Sequence, residues 1–265
     1  MKKIILELKG SCINLDNIKI SAAFINAVSL LYEKSTFKTI LDAMKTGKIR
    51  FSSAFPHGYL PKPILFLPKN DLEKAGFRVK DYKSLRYVPK KAIDYLKEEG
   101  ENKYLEELKN LSSEEVTKEN IKVQNDLRQR KVYYVLSELI NKVDIYYEAE
   151  NEEYDKFIES AFRLMVDLGL SKRRTAGFGA IKKMKIEDVE EINKPPYILL
   201  SKSLVSLRNP VKSYQIEELM LRTKNSVIPG CFVFTEGSVF EDKTLFGGII
   251  EEGELYLTST YSLIY

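Results

Sequence analysis

Alternating apolar and polar side chains over residues 3–9 predict a first strand, with Ile4 and Leu6 on one face. A helical pattern follows over residues 22–32, and Ser21 can cap its amino end. The chain is therefore expected to begin with a strand that is followed directly by a helix.

A second helical pattern begins at Ser35 or Thr36 and ends at Gly47. The prolines of residues 51–70 then exclude a regular helix, because proline lacks a backbone N–H and its ring clashes with the preceding turn. Within this irregular segment, residues 64–67 are apolar enough to form a short buried strand.

Residues 69–131 are dense in charges of both signs, which predicts an insertion of short helices or a flexible protrusion outside the core. Strand patterns return at residues 132–136 and 143–149. A clear amphipathic helix follows over residues 152–168, and Gly169 is expected to end it.

The order of these elements is that of a ferredoxin-like βαββαβ unit, whose last element is a basic strand over residues 178–186. We therefore predict an α+β protein with two ferredoxin-like (RRM-like) units. The first, residues 1–187, carries the insertion and a glycine-rich loop, and the second, residues 196–265, is smaller and reduced. The elements predicted for the second unit are strands near residues 197–201, 231–235 and 254–257, a helix near 214–220 and a hairpin turn at 236–238.

Composition favours a protein that buries a core, since 44% of its 265 residues are hydrophobic and 30% are charged. The chain has no run of about 18 apolar residues, which predicts no membrane-spanning helix. Cys12 and Cys231 lie far apart, which argues against a cysteine-based zinc site and for a reducing compartment. We therefore expect a cytoplasmic protein without a metal or another cofactor.

Residues 169–180 read GLSKRRTAGFGA and combine glycines, hydroxyls and three consecutive cations. Glycine lets a backbone approach a ligand closely, and lysine and arginine neutralise phosphates. Hydroxyls bond to phosphate or to the ribose 2′-hydroxyl that marks RNA. The loop follows a helix and opens a strand, which is the reverse of a dinucleotide-binding loop.

The positive charge of the chain is concentrated at this loop. Although the net charge is only +4, residues 169–185 carry six cations and no acid. Phe178 can stack on a base or pack beneath the loop. The pattern predicts RNA contacts at Ser171, Lys172, Arg173, Arg174, Thr175, Gly177, Phe178 and Gly179.

A second candidate site lies in residues 52–62, where Ser53, His57 and Lys62 are predicted to contact RNA. Phe55 is expected to lie in the core instead. His57 is the only histidine of the chain. It either transfers a proton in RNA cleavage or donates a hydrogen bond to a phosphate or a base.

Three segments in this order resemble a known family: residues 52–62 (SSAFPHGYLPK), 169–179 (GLSKRRTAGFG) and 234–240 (FTEGSVF). They are similar to segments of the RAMP superfamily of CRISPR proteins. The resemblance is greater to the type III-A (Csm) subunits that hold the 5′ tag of the crRNA. The similarity in order and spacing spans essentially the whole chain.

The resemblance implies a non-catalytic RNA-binding subunit of a CRISPR interference complex, with a role in antiviral defence. Such a subunit anchors the repeat-derived 5′ tag of crRNA. It contacts the large Cas10-type subunit on one side and a backbone RAMP subunit on the other. The insertion in residues 69–131 then corresponds to a thumb-like protrusion at the first guide positions, and neither a cofactor nor a membrane is implied.

Three alternatives stay open on the sequence alone. Some RAMP proteins cut the crRNA precursor with a histidine, so the first is a metal-independent endoribonuclease that acts through His57, with Tyr59 and Lys62 nearby in sequence. The second is the equivalent subunit of a type III-B complex. The third is a general RRM-like RNA-binding module outside CRISPR.

Overall fold

Helices and antiparallel strands follow one another along most of the chain. The computed structural model describes residues 1–9, 15–109, 119–126, 131–138, 142–170, 179–205, 211–222, 227–252 and 255–265. The helices are α1 (Asn17–Leu31), α2 (Lys34–Lys45), α3 (Lys69–Lys74), α4 (Val79–Ser84), α5 (Lys90–Glu98), α6 (Glu101–Lys109) and α7 (Glu152–Leu168). The strands are β1 (Lys2–Leu8), β2 (Ile49–Pro56), β3 (Tyr59–Pro61), β4 (Tyr87–Pro89), β5 (Glu119–Asp126), β6 (Lys131–Glu138), β7 (Lys142–Ala149), β8 (Ile181–Asp188), β9 (Tyr197–Ile198), β10 (Ser203–Leu204), β11 (Val211–Ser213), β12 (Ile216–Arg222), β13 (Val227–Phe234), β14 (Val239–Phe240), β15 (Ile249–Glu252) and β16 (Leu255–Ser259).

The largest sheet of the described residues has four strands in the order β2-β7-β1-β8. Every neighbouring pair is antiparallel. Helices α1 and α2 connect β1 to β2, and α7 connects β7 to β8. This is the arrangement of a ferredoxin-like βαββαβ unit, and it confirms the predicted α+β class.

The two faces of this sheet are covered by different parts of the chain. Ile4, Leu6 and Ile145 are fully buried on one face, where they pack with residues of α1 and α7 such as Phe24 and Phe162. Side chains alternate across a strand, so neighbouring positions of the same strands face the other way. On that second face, residues of the insertion and of the carboxyl-terminal part build another core.

The second core corrects the expectation that residues 69–131 lie outside the core. Short helices are present as predicted, but Leu72, Ile93 and Tyr104 of α3, α5 and α6 are buried together with Tyr146 of the sheet. Apart from Lys97, the charged residues of these helices are exposed or half-buried, so the high charge density of the segment conceals narrow apolar stripes on its helices. Strand β6 confirms the strand predicted at residues 132–136.

A buried lysine links the insertion to the carboxyl-terminal part. Lys97 of α5 is only 7% exposed. Its ammonium donates a hydrogen bond to the carbonyl oxygen of Ile192 at 3.0 Å and lies 4.2 Å from the ring centre of Tyr265. Burial is the main cause that lowers the pKa of Lys97 to about 8.

The ends of the helices differ in part from the prediction. Helix α1 begins at Asn17, because the Asp16 carboxylate accepts the N–H of Lys19 at 2.9 Å and caps it, so Ser21 is not the cap. Helix α2 begins at Lys34 after Glu33, so neither predicted hydroxyl residue caps it. Gly169 ends α7 as predicted, with a φ of 76°.

The helix predicted at residues 214–220 is wrong, since this region forms β12, which pairs with β13. Pairing with a neighbouring strand overrides a local pattern of this kind. Residues 64–67 form no strand. A turn lies at 236–237 as predicted, but the strands on either side of it, β13 and β14, belong to different sheets. None of the helices in the described residues is long and apolar enough to cross a membrane.

Candidate nucleic-acid interface

Backbone hydrogen bonds of Leu170, Gly179, Ala180 and Lys9 join the two ends of the glycine-rich loop to each other and to β1, and we call these four residues the neck. The N–H of Leu170 donates to the carbonyl of Gly179 at 3.0 Å, and the N–H of Lys9 donates to Ala180 at 2.8 Å. Gly179 adopts a φ of 66°, which glycine tolerates and other residues rarely adopt. The other predicted contacts, Ser171, Lys172, Arg173, Arg174, Thr175, Gly177 and Phe178, lie outside the described residues.

The neck and His57 lie at the same end of the main sheet. Strand β8 starts beside the end of β1, and Glu7 of β1 pairs with both Lys142 of β7 and Lys183 of β8. His57 follows the last residue of β2, and its N–H donates to the carbonyl of Lys142 at 3.1 Å. His57 and the neck therefore lie at one end of the sheet but at its opposite edges, since His57 follows β2 and the neck precedes β8.

His57 is held by a carboxylate that the sequence analysis missed. Its Nδ1 lies 2.7 Å from Oδ1 of Asp144, a residue of β7 that is fully buried. The other oxygen, Oδ2, accepts the N–H of Gly58 at 3.1 Å and lies 3.8 Å from Nζ of Lys3. The histidine side chain itself is 39% exposed. An imidazole fixed in this way can accept or donate a hydrogen bond or a proton at its outer nitrogen.

Exposed lysines extend from the neck along the same face of the sheet. Ile5 pairs with both Asp144 and Lys185, and paired residues of an antiparallel sheet share a face. A β-bulge at Lys182 adds one residue to β8, and both Lys182 and Lys183 are exposed. The face that carries the histidine pair is therefore positively charged along β8.

Two acids lie on this face, Glu7 opposite Lys142 and Lys183 and Glu187 at the far end of β8. Hydrogen bonds from Lys185 and Lys3 lower the pKa of the Glu187 carboxyl. The carboxylate lies 2.6 Å from Lys185 and 3.3 Å from Lys3. Lys183, nearer the neck, has no ion pair of this kind among the described residues.

Ser53 lies inside the protein, 3% exposed, at a β-bulge that it forms with Ser52 in β2. Its hydroxyl accepts the N–H of Asn17 at 3.0 Å and donates to the carboxylate of Glu236. Burial raises the pKa of that carboxyl, and the hydrogen bond from Ser53 opposes the rise. Ser53 thus joins three distant segments, and its contact with RNA stays a prediction.

Lys62 also has partners within the protein. Its ammonium donates to the carbonyl oxygens of Tyr82 at 2.8 Å and Lys83 at 3.3 Å, and it lies 4.5 Å from the ring centre of Tyr82. Burial and the charge of Lys83 lower the pKa of Lys62. The contact of Lys62 with a phosphate stays a prediction.

Phe55, which the sequence analysis expected in the core, is buried there with 2% exposure.

The residues that the sequence analysis missed are Asp144, Lys3 and Lys142. Each lies in a strand whose pattern indicated only alternation between two faces. A signal was present for Asp144, because an acid sits between the apolar residues Val143 and Ile145. Only the pairing of β2 with β7 brings its carboxylate to His57.

Comparison with known proteins gives a structural likeness over the whole chain. No protein-family model matches the chain, and no curated protein matches it significantly. It is similar to a chain in the crystal structure of the Csm3–Csm4 subcomplex of the type III-A CRISPR-Cas interference complex, with a TM-score of 0.68, 17% sequence identity and coverage of 100% of this chain and 98% of that chain. It is also similar to a chain in the Csm1–Csm4 cassette in complex with AMPPNP, with a TM-score of 0.61, 21% identity and coverage of 99% and 97%. The chain therefore shares its fold with a component of these complexes.

Proposed function

We propose that this chain is a non-catalytic RNA-binding subunit of a type III-A CRISPR interference complex. It anchors the repeat-derived 5′ tag of crRNA and takes part in antiviral defence. The observation that carries the proposal is the end-to-end structural similarity to chains of the Csm3–Csm4 and Csm1–Csm4 structures. Csm4 is the component that these structures have in common.

The charges at one end of the main sheet support RNA binding. Lys182, Lys183 and Lys185 are exposed and follow the neck of the glycine-rich loop, which itself carries three further cations. A row of cations beside a loop with three glycines suits a strand of phosphates that approaches the backbone closely. The proposed site therefore consists of the loop, the start of β8 and the His57 turn.

The partners proposed for the subunit are the large Cas10-type subunit and a backbone RAMP subunit. The solved structures of similar fold contain Csm4 together with Csm1 or with Csm3. By this likeness, docking of the large subunit and fixing of the guide register are the proposed tasks, and neither needs a cofactor.

The proposal is tested by binding of crRNA, with and without its 5′ tag, to the chain assembled with its large subunit. We expect tag-dependent binding without cleavage. Affinity for RNA falls as salt rises, and each single-strand phosphate contact adds about 0.7 to the steepness of log affinity against log salt. Replacing Lys172, Arg173 and Arg174 with alanine should therefore make this dependence shallower by about 2. A matched control replaces the exposed Lys34, Lys38 and Lys156 of α2 and α7 with alanine. Equal slopes for both variants would refute the role of the loop.

The paired His57 and Asp144 also favour a second candidate function, a metal-independent endoribonuclease. A buried carboxylate that orients an imidazole is suited to proton transfer. The same assay decides between the two. Cleavage at one position of the repeat that is lost in His57→Ala, while RNA binding is retained, would establish the enzyme and contradict the non-catalytic role.

A further inference from the structure

The hydrogen bonds around Asp144 determine which nitrogen of His57 carries a proton. One carboxylate oxygen contacts Nδ1 of His57 at 2.7 Å, and the other accepts the N–H of Gly58 at 3.1 Å. The ammonium of Lys3 lies 3.8 Å from the second oxygen. A carboxylate surrounded by donors acts as an acceptor, so Nδ1 must be the donor in this pair.

A neutral imidazole has one donor and one acceptor, so a proton on Nδ1 leaves Nε2 as an acceptor. Among the residues that the structure describes, no group is bonded to Nε2, and the side chain is 39% exposed. His57 therefore presents a fixed lone pair at the end of the sheet. Lys142 and Lys183, which are donors, are exposed at the same end of the sheet, and the acid between them, Glu7, is half-buried.

A hydrogen-bond acceptor and the neighbouring lysines suit different groups of a nucleic acid, because the acceptor needs a donor group and the lysines need an acceptor group. Phosphate oxygens only accept hydrogen bonds, so they suit Lys142 and Lys183 but not a neutral Nε2. In the sugar–phosphate backbone of RNA, the group that donates is the 2′-hydroxyl, and DNA lacks it.

We propose that Nε2 of His57 accepts a hydrogen bond from a ribose 2′-hydroxyl of the bound strand, and that Asp144 is the positioning residue that keeps Nε2 in the acceptor form. The pair then selects RNA over DNA at this site. The inference rests on the proposed function, since it requires that an RNA strand pass the end of the sheet.

The tautomer is tested on the full chain without any RNA. His57 is the sole histidine, so the imidazole nitrogen signals of the ¹⁵N-labelled chain belong to one residue. At pH 8 we expect a protonated Nδ1 and an unprotonated Nε2. In Asp144→Ala, the proton should move toward Nε2, and Asp144→Asn serves as the second variant if alanine impairs folding. A wild-type spectrum with the proton on Nε2 would overturn the assignment.

The selection is tested with the assembled complex and two probes, a ribose tag and the same tag with 2′-deoxy sugars. The wild type should bind the ribose tag about three- to tenfold more tightly, as one hydrogen bond allows. His57→Ala and Asp144→Ala should bring the ratio close to one. Lys142→Ala is the control, because it should weaken both probes and leave the ratio unchanged.

The outcomes separate this inference from the proposed function. If the wild type binds both probes equally, or if His57→Ala keeps the preference, the reading of ribose is overturned while tag binding stands. If only Asp144→Ala keeps the preference, the positioning role is overturned. If His57→Ala weakens the binding of both probes by the same factor, His57 contacts an exocyclic amine of a tag base instead, and the ribose contact is overturned. If the wild-type complex binds no tag, the proposed function fails and the reading of ribose fails with it.

Discussion

Replacement of Lys97 by methionine should make the protein more stable near neutral pH. The ammonium is buried between α5, Ile192 and Tyr265, and this burial lowers its pKa from 10.5 to about 8. At 1.36 kcal/mol per pKa unit, that difference corresponds to about 3 kcal/mol. Solvent screening and nearby charges reduce the effect to roughly 1–2 kcal/mol. Methionine fills a similar volume without a charge.

The sign of the pH dependence follows from proton linkage. Below pH 8 both the folded and the unfolded chain hold the Lys97 proton, and the folded state bears the full cost of the buried charge. Between pH 8 and 10.5 the unfolded chain binds more protons, so the contribution of Lys97 makes the free energy of unfolding rise with pH. From about pH 10 upward, the unfolded chain ionises tyrosines such as Tyr146 and Tyr265, which stay protonated in the folded state because burial raises their pKa values. This makes the free energy of unfolding fall with pH.

The assay is urea unfolding of the wild type and Lys97→Met at several pH values from about 7 to 10, which span the titration of Lys97. Subtracting the free energy of unfolding of the wild type from that of the variant at each pH cancels the contributions of titrating groups that do not interact with Lys97. The variant should be more stable at neutral pH, and its advantage should shrink as the solution becomes alkaline. A variant that is less stable at neutral pH, or an advantage that is constant with pH, would refute the reasoning.

Two further predictions concern packing. Gly237→Ala should destabilise the fold by well over 1 kcal/mol, because the new Cβ would lie 2.4 Å from the carbonyl oxygen of Lys62 at a φ of 89°. Gly58→Ala is the matched control, since it has a φ of 81° but nothing within 4 Å, and equal losses in thermal unfolding would contradict the clash. Ile93→Ala should cost about 2–5 kcal/mol, because Ile93 is fully buried in the insertion. The exposed Leu30→Ala should cost far less, and similar urea midpoints for the two would show that the insertion is not part of the core.

The sequence was informative where periodicity within one element decides the structure. The pattern of apolar residues located β1, β7 and α7, and Gly169 located the end of α7, because each signal acts within one or two turns of chain. The order of these elements then led to the βαββαβ unit. The predicted element type is wrong at β12, because pairing with β13, and not the local pattern, determines that this segment is a strand.

The candidate site was only partly predictable, because its contacts join residues that are far apart in the chain. The sequence pointed to His57, but Asp144 is 87 positions away and becomes its partner only through strand pairing. Ser53 is a similar case, since its hydroxyl meets Glu236 across 183 positions. Local composition identifies a polar residue, but it does not reveal whether an internal partner already occupies its hydrogen-bonding groups.

The neck of the glycine-rich loop has a mechanical consequence. Its two backbone hydrogen bonds tie Leu170 and Lys9 directly to Gly179 and Ala180. A force applied to the chain between Leu170 and Gly179 is therefore transmitted into α7, β1 and β8 through the main chain. Strands β1 and β8 are antiparallel neighbours with a continuous register from Lys2 to Glu7, so a pull along β8 loads several hydrogen bonds at once. The anchorage of both ends of the loop thus depends on backbone hydrogen bonds and not on the side chains of the loop.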